Sequence, residues 1–113
     1  MGNQCTSNGG AGILLACAGA NGAVGVAING NSVCNNGVST TGGDDGIRVE
    51  NNNDTPITGN VGYDTQGNKT QNYGIRITGN ANYNVVTGNS LRGNGIAGKS
   101  LVGANNEAAH NIE

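Results

Sequence analysis

A Gly-Asn pair returns at a fixed interval along this chain, at Gly30-Asn31, Gly59-Asn60 and Gly88-Asn89, in steps of 29 and 29 residues. Each pair closes a short apolar segment, INGN, ITGN and VTGN in turn, and a further ITGN occupies 77–80. A constant period of this size is the signature of a stacked-repeat protein, in which one repeat cannot bury its apolar face alone and gains a core from its neighbours. The repeats are not helical: 22 Gly and 21 Asn interrupt every segment within about ten residues, too often for a helix with apolar positions at i, i+3 and i+4.

The period within each segment is 2. Ile47 and Val49 alternate with Arg48 and Glu50, and Ile75 and Ile77 alternate with Arg76 and Thr78. A Gly-Ile opener precedes these strands, as GIRVE at Gly46, GIRIT at Gly74 and GIAGK at Gly95, in steps of 28 and 21. Strands of three to five residues, Gly/Asn corners and a unit of 21 to 29 residues predict an all-β chain folded as a right-handed parallel β-helix, each repeat forming one coil. Asn suits the corners because it tolerates left-handed backbone angles and its amide can bond to the Asn one rung away; Gly before it turns at no steric cost.

The stretch NYGIRITGNANYNVVTGNSLRGNGI, 72–96, resembles the β-helix repeats of the pectate-lyase-like superfamily, closely over 46–103 and loosely over 12–43. That superfamily includes polysaccharide lyases and hydrolases, bacterial surface proteins and bacteriophage tailspikes. The matching residues build corners and core, so the resemblance implies the fold more firmly than any activity.

A single solenoid domain is expected over 1–113: a polar lead-in at 1–10, a loose Gly/Ala-rich coil at 11–43, clear repeats at 44–103 and a polar tail at 104–113. This length gives four to five short coils with two open ends and no amphipathic capping helix, the pattern of a piece of a longer solenoid or of one protomer in an assembly. The small residues of 11–37 suit either the close packing of a homotrimer axis or simply a thin-cored coil.

The formal net charge is −2 and the five Lys and Arg are scattered singly, which argues against a nucleic-acid partner. The apolar run 13–28 is broken by Gly19, Asn21, Gly22 and Gly25, too often to insert in a membrane. Cys5, Cys17 and Cys34 are an odd set without a CxxC pair, and His110 is the lone histidine. They read as small thiols packed in the coils, with a Cys17–Cys34 bridge as the alternative and no metal site. No cofactor is implied.

Asp44-Asp45 directly precedes GIRV, and adjacent carboxylates beside a strand are similar to the paired aspartates of β-helix polygalacturonases, where one acts as general acid and the other activates water. The N-T-D, G-H-G and R-I-K elements of that pattern are missing, so Asp44 and Asp45 are weak catalytic candidates beside the simpler reading of a turn whose acids face solvent. Arg48 and Arg76 are expected to stack one rung apart with Glu50 beside them, either as a lyase-like set with Asp54 and Asp64 or as an outward ladder of solvated charges. Single threonines at Thr58, Thr78 and Thr87 do not make the Thr-x-Thr ranks of an ice-binding face.

The segment 61–73 is expected to be the longest excursion, and excursions from a solenoid tend to line one face. Tyr63, Asp64, Tyr73, Arg76 and Tyr83 are therefore the expected carbohydrate contacts. The functional expectation is a β-helix segment of an extracellular or virion protein, of tailspike or tail-fibre type, that recognises surface polysaccharide as a homotrimer or within a larger assembly. A lyase or hydrolase fragment and a purely structural spacer are the alternatives.

Overall fold

The computed structural model describes residues 2–18, 25–40 and 43–113. Among the described residues eleven strands alternate with corners: β1 (Gln4–Thr6), β2 (Ile13–Ala16), β3 (Ile28–Asn29), β4 (Ser32–Cys34), β5 (Ile47–Glu50), β6 (Pro56–Thr58), β7 (Val61–Tyr63), β8 (Tyr73–Thr78), β9 (Val85–Thr87), β10 (Ala97–Leu101) and β11 (Glu107–Ala109). They stack into three sheets, β1-β4-β7, β2-β5-β8-β10 and β3-β6-β9-β11, and every strand pairing is parallel. The chain is a parallel β-solenoid, as expected.

It makes about three turns rather than four to five. In the second sheet the rungs begin at Ile13, Ile47, Ile75 and Lys99, so the first turn consumes many more residues than the last. The extra length goes into long connections between strands. The lead-in and the tail are both part of the coil: β1 pairs with β4, and β11 with β9.

Period-2 alternation becomes columns. Ile13, Ile47 and Ile75 stack in register, as do Leu15, Val49, Ile77 and Leu101, and Ile28, Ile57 and Val86. The inward members of the middle rungs, including Ile47, Val49, Ile57, Ile75, Ile77 and Val86, are fully buried. Each contributes roughly 1.5–3 kcal/mol of hydrophobic free energy relative to exposure. Gly46 and Gly74 line the same interior. A Cβ on Gly46 would lie 2.7 Å from the Gly74 carbonyl, and one on Gly74 2.9 Å from the Gly98 carbonyl, so a side chain here would push the rungs apart. The third glycine of this row is Gly98 and not the Gly95 of the expected opener, because Lys99 and not Ile96 pairs with Ile75.

The Gly-Asn repeat is an asparagine ladder. Asn3, Asn31, Asn60, Asn89 and Asn111 follow one another, each donating its backbone N–H and its Nδ2 to the Oδ1 of the next at 2.8–3.1 Å. The Nδ2 groups of Asn60, Asn89 and Asn111 also reach back to the carbonyls of Ile28, Ile57 and Val86. Gly30, Gly59 and Gly88 supply the left-handed turn with φ of 64–66°, and His110 takes that place in the last coil at 53°. A second ladder runs Asn8, Asn36, Gln71, Asn94, with a glutamine standing in for one asparagine.

The cysteines do not form the alternative bridge: Cys34 is a buried free thiol 3.2 Å from Thr6 Oγ1, and the Cys17 thiol donates to Asn52 Oδ1 at 3.5 Å. Cys5 is also free and packs against the core.

Candidate functional site

The outward side chains of the second sheet converge on one charged cluster. Arg48 and Arg76 are register partners on adjacent rungs, as the alternation requires. Arg48 Nη1 lies 3.1 Å from Asp44 Oδ1, and its Nε lies 2.7 Å from Glu50 Oε1 without directing its N–H along that line, so the second contact is electrostatic. Arg76 Nη1 is 3.8 Å from Asp45 Oδ2, and its guanidinium carbon sits 5.4 Å from the centre of the Tyr73 ring, within cation–π range. Sequence order scatters Asp44, Asp45, Arg48, Glu50, Tyr73 and Arg76 over some thirty residues, and the solenoid brings them onto one ledge.

The backbone beneath this ledge is irregular. Asp44 bridges to Gln71, while Gly46 donates its N–H to the Tyr73 carbonyl and so takes Gly74 as its partner. Asp44 to Gly46 therefore faces the longer run Gln71 to Gly74. The upper rung bulges by one residue at Asn72-Tyr73, over Asp45. A bulge of this kind aims a side chain away from the regular row, and here it carries Tyr73 and frees Arg76 to lean toward it.

Asp45 carries the consequence. Its side chain is 0 % exposed, and neither carboxylate oxygen accepts a well-formed hydrogen bond. Burial pushes its pKa up from 3.8 to about 6; the Arg76 and Arg48 guanidiniums and a backbone contact with Tyr73 pull it down, and Asp44 adds to the rise. Asp45 does not face solvent, which corrects that expectation for it: the two arginines fold over it, while Asp44 keeps 14 % of its side chain exposed beside Arg48. The Arg48 pKa is itself raised; burial works against the charge, but Asp44, Glu50 and Asp45 outweigh it. Asp45 could serve as a proton donor near neutral pH by its pKa alone, but it has no surface at which to meet a substrate in this arrangement.

The other expected contacts lie elsewhere. Tyr63 belongs to β7 on the first sheet, in register with Cys34, whose contact holds the phenol pKa up. Asp64 is 3 % exposed and turned into its own loop: Oδ1 accepts the Gln66 N–H, and Oδ2 accepts the Thr70 and Gln71 N–H groups, all at 2.8 Å. Burial raises its pKa, but the N–H groups of Gln71, Gln66 and Thr70 together bring it below the usual carboxylate value. It staples a loop and offers little to a ligand. That loop is shorter than expected, because Val61–Tyr63 is strand β7 and Tyr73 opens β8. Tyr83 is 58 % exposed at a corner, with a left-handed φ of 58°.

The stack of Arg48 and Arg76 with Glu50 beside it is the one the alternation predicts, although Arg48 and Glu50 are not among the expected carbohydrate contacts. What the sequence reading misses is that the Asp44-Asp45 turn joins them; aligning DDGIRVE with NYGIRIT on their shared glycine brings that out, since it sets the turn beneath Tyr73.

No protein-family model matches the chain, and no curated protein or solved structure matches it either.

Proposed function

We propose that this solenoid belongs to an extracellular or virion protein of tailspike or surface-adhesin type, and that the ledge formed by Tyr73, Arg76, Arg48 and Glu50 binds a surface polysaccharide. The observation that carries the reading is the Arg76 guanidinium held over the Tyr73 ring with the buried Asp45 carboxylate behind it. A sugar is recognised by an apolar ring face laid on an aromatic, with hydroxyls bonded by fixed planar donors and acceptors. The ledge offers that combination: Asp44 and Glu50 hold Arg48 from two sides, and Asp45 with the Tyr73 ring holds Arg76, so that less side-chain entropy remains to be lost on binding. The pectate-lyase-like resemblance agrees with a glycan ligand.

The lyase or hydrolase alternative asks more of the site than it supplies. Glycoside hydrolysis needs two carboxyl groups that both reach the scissile bond, whereas Asp45 is sealed beneath the arginines.

A glycan array probed with the chain, followed by titration calorimetry on the best glycan, tests the proposal. Tyr73→Ala and Arg76→Ala should each weaken binding by tenfold or more with unchanged circular dichroism, and Tyr63→Ala should not. Binding to no glycan class, or binding indifferent to Tyr73 and Arg76, rejects it in favour of a structural spacer.

A further inference from the structure

Every charge on the ledge already has a partner within the protein. Arg48 lies against Asp44 and Glu50, and Arg76 Nη1 faces Asp45, so three carboxylates stand against two guanidiniums and the formal balance is −1. The register positions that continue these columns along the sheet are uncharged. Leu14 and Ser100 flank the two arginines, and Ala16 and Thr78 flank Glu50. Exposure separates the groups further: Asp45 is sealed, whereas Arg76 and Glu50 keep 37 % and 30 % of their side chains exposed. A ligand therefore meets a donor fork and an acceptor side by side, with no charge of either sign left over for it.

We infer that the glycan taken by this ledge is a neutral one, read through its hydroxyls, and not a polyuronate, a sulfated chain or a chain of free amino sugars. The inference rests on the proposal that the ledge binds carbohydrate, and it names the class. A hydroxyl both donates and accepts, so it answers Glu50 and Arg76 while both ion pairs stay in place. A carboxylate or sulfate only accepts. To bond Arg76 through two N–H groups it must draw the guanidinium away from Asp45. Asp45 would then be a buried carboxylate without a hydrogen bond, its last counter-charge the Arg48 Nε at 4.0 Å. Breaking a buried pair from one side costs more than an exposed pair returns, and the incoming anion would also stand beside Asp44 and Glu50. An ammonium group fares no better, because Arg48 already occupies both of those acids.

A glycan array holding neutral, uronate-bearing, sulfated and amino-sugar chains, read at pH 7.5 with the wild-type chain and with Tyr73→Ala, tests the inference. The strongest ligand lost in Tyr73→Ala should be neutral. In titration calorimetry its affinity should change less than about twofold between about 50 and 500 mM salt, because no ion pair forms with it. Oxidising its exocyclic hydroxymethyl groups to carboxylates should weaken binding at least tenfold, and converting those carboxylates to amides should restore most of it. Asp45→Asn, which leaves Arg76 without its carboxylate, should narrow the gap between the neutral and oxidised chains at least threefold. A charged chain as the strongest Tyr73-dependent ligand, an oxidised chain that binds as well as its parent, or a gap unmoved by Asp45→Asn overturns the inference while the ledge remains a glycan site. The absence of any Tyr73-dependent ligand rejects the glycan site itself, and the inference with it.

Discussion

The Asn60 rung of the ladder and the Asp45 turn face the same physical problem with opposite results. Both put a polar side chain where water cannot reach, at 1 % and 0 % exposure. Asn60 receives two hydrogen bonds from Asn31 and gives three, to Asn89 and Ile28, because each coil repeats the one below it and every donor meets an acceptor one rung away. Asp45 has no equivalent on the next rung, where the bulge at Asn72-Tyr73 breaks the repeat, and it is left with charge contacts and a backbone contact with Tyr73 but no well-formed hydrogen bond. Translation symmetry satisfies buried polar groups without cost, and a local loss of symmetry leaves one unsatisfied. Unsatisfied buried groups cluster where a surface has been shaped for something other than stability.

The largest effect should come from breaking the satisfied side. Asn60→Ala leaves the Asn31 donors, the Asn89 Oδ1 and the Ile28 carbonyl short of partners inside the stack. At about 1–3 kcal/mol for each orphaned group, with some recovered by relaxation, the total loss should be about 3–5 kcal/mol. Chemical denaturation at pH 7 reads it directly. A loss below about 1 kcal/mol would mean that the ladder decorates the corner and does not hold it.

Asp45→Asn should act in the opposite direction. A buried carboxylate whose pKa is raised to about 6 binds a proton more tightly folded than unfolded. Its stabilising effect is therefore complete below about pH 4 and is lost as pH rises through 6, which amounts to about 3 kcal/mol at neutral pH if the full difference applies. Asparagine copies the protonated form, and the rise to about 6 already includes the opposing attraction to Arg76 and Arg48, so the gain at pH 7.5 should be about 2–3 kcal/mol. The wild-type chain should lose stability between pH 4 and 6 relative to Asp45→Asn. Parallel profiles for the two proteins across that window would show that the arginines already compensate the burial.

These two regions also mark how much could be read without a structure. The 29-residue Gly-Asn spacing led to the solenoid and to the Asn31, Asn60 and Asn89 row, because a ladder bond is a translation and translation is visible as periodicity. Asn111 escaped notice because His110 replaces the glycine and the last step is 22 residues. Gln71 in the second ladder escaped because it is not an asparagine. The buried Asp45 was invisible for a different reason. Its environment comes from one extra residue in the neighbouring rung, and a bulge leaves no periodic trace. Tyr73 and Arg76 were singled out individually, but their pairing with Asp45 needed the register.

The smallest effect should come from Tyr83, where the comparison can be tested within one corner. Tyr83 precedes Asn84, and Asn84 sits in a satisfied short ladder: its Oδ1 accepts the Thr55 N–H, and its own N–H and Nδ2 donate to Asn106. The residues preceding Thr55 and Asn106 are Asp54 and Asn105, with φ of 54° and 56°, and Tyr83 matches them at 58°. Asp and Asn tolerate that left-handed region, whereas an aromatic side chain there is a strained exception. The ladder dictates the backbone angle regardless of which residue must adopt it. Tyr83→Asn should therefore stabilise the chain by about 0.5–1 kcal/mol, since 58 % of the tyrosine is exposed and little packing is lost. A loss of stability would show that the ring packs along the corner and that symmetry of the backbone is not what sets its cost there.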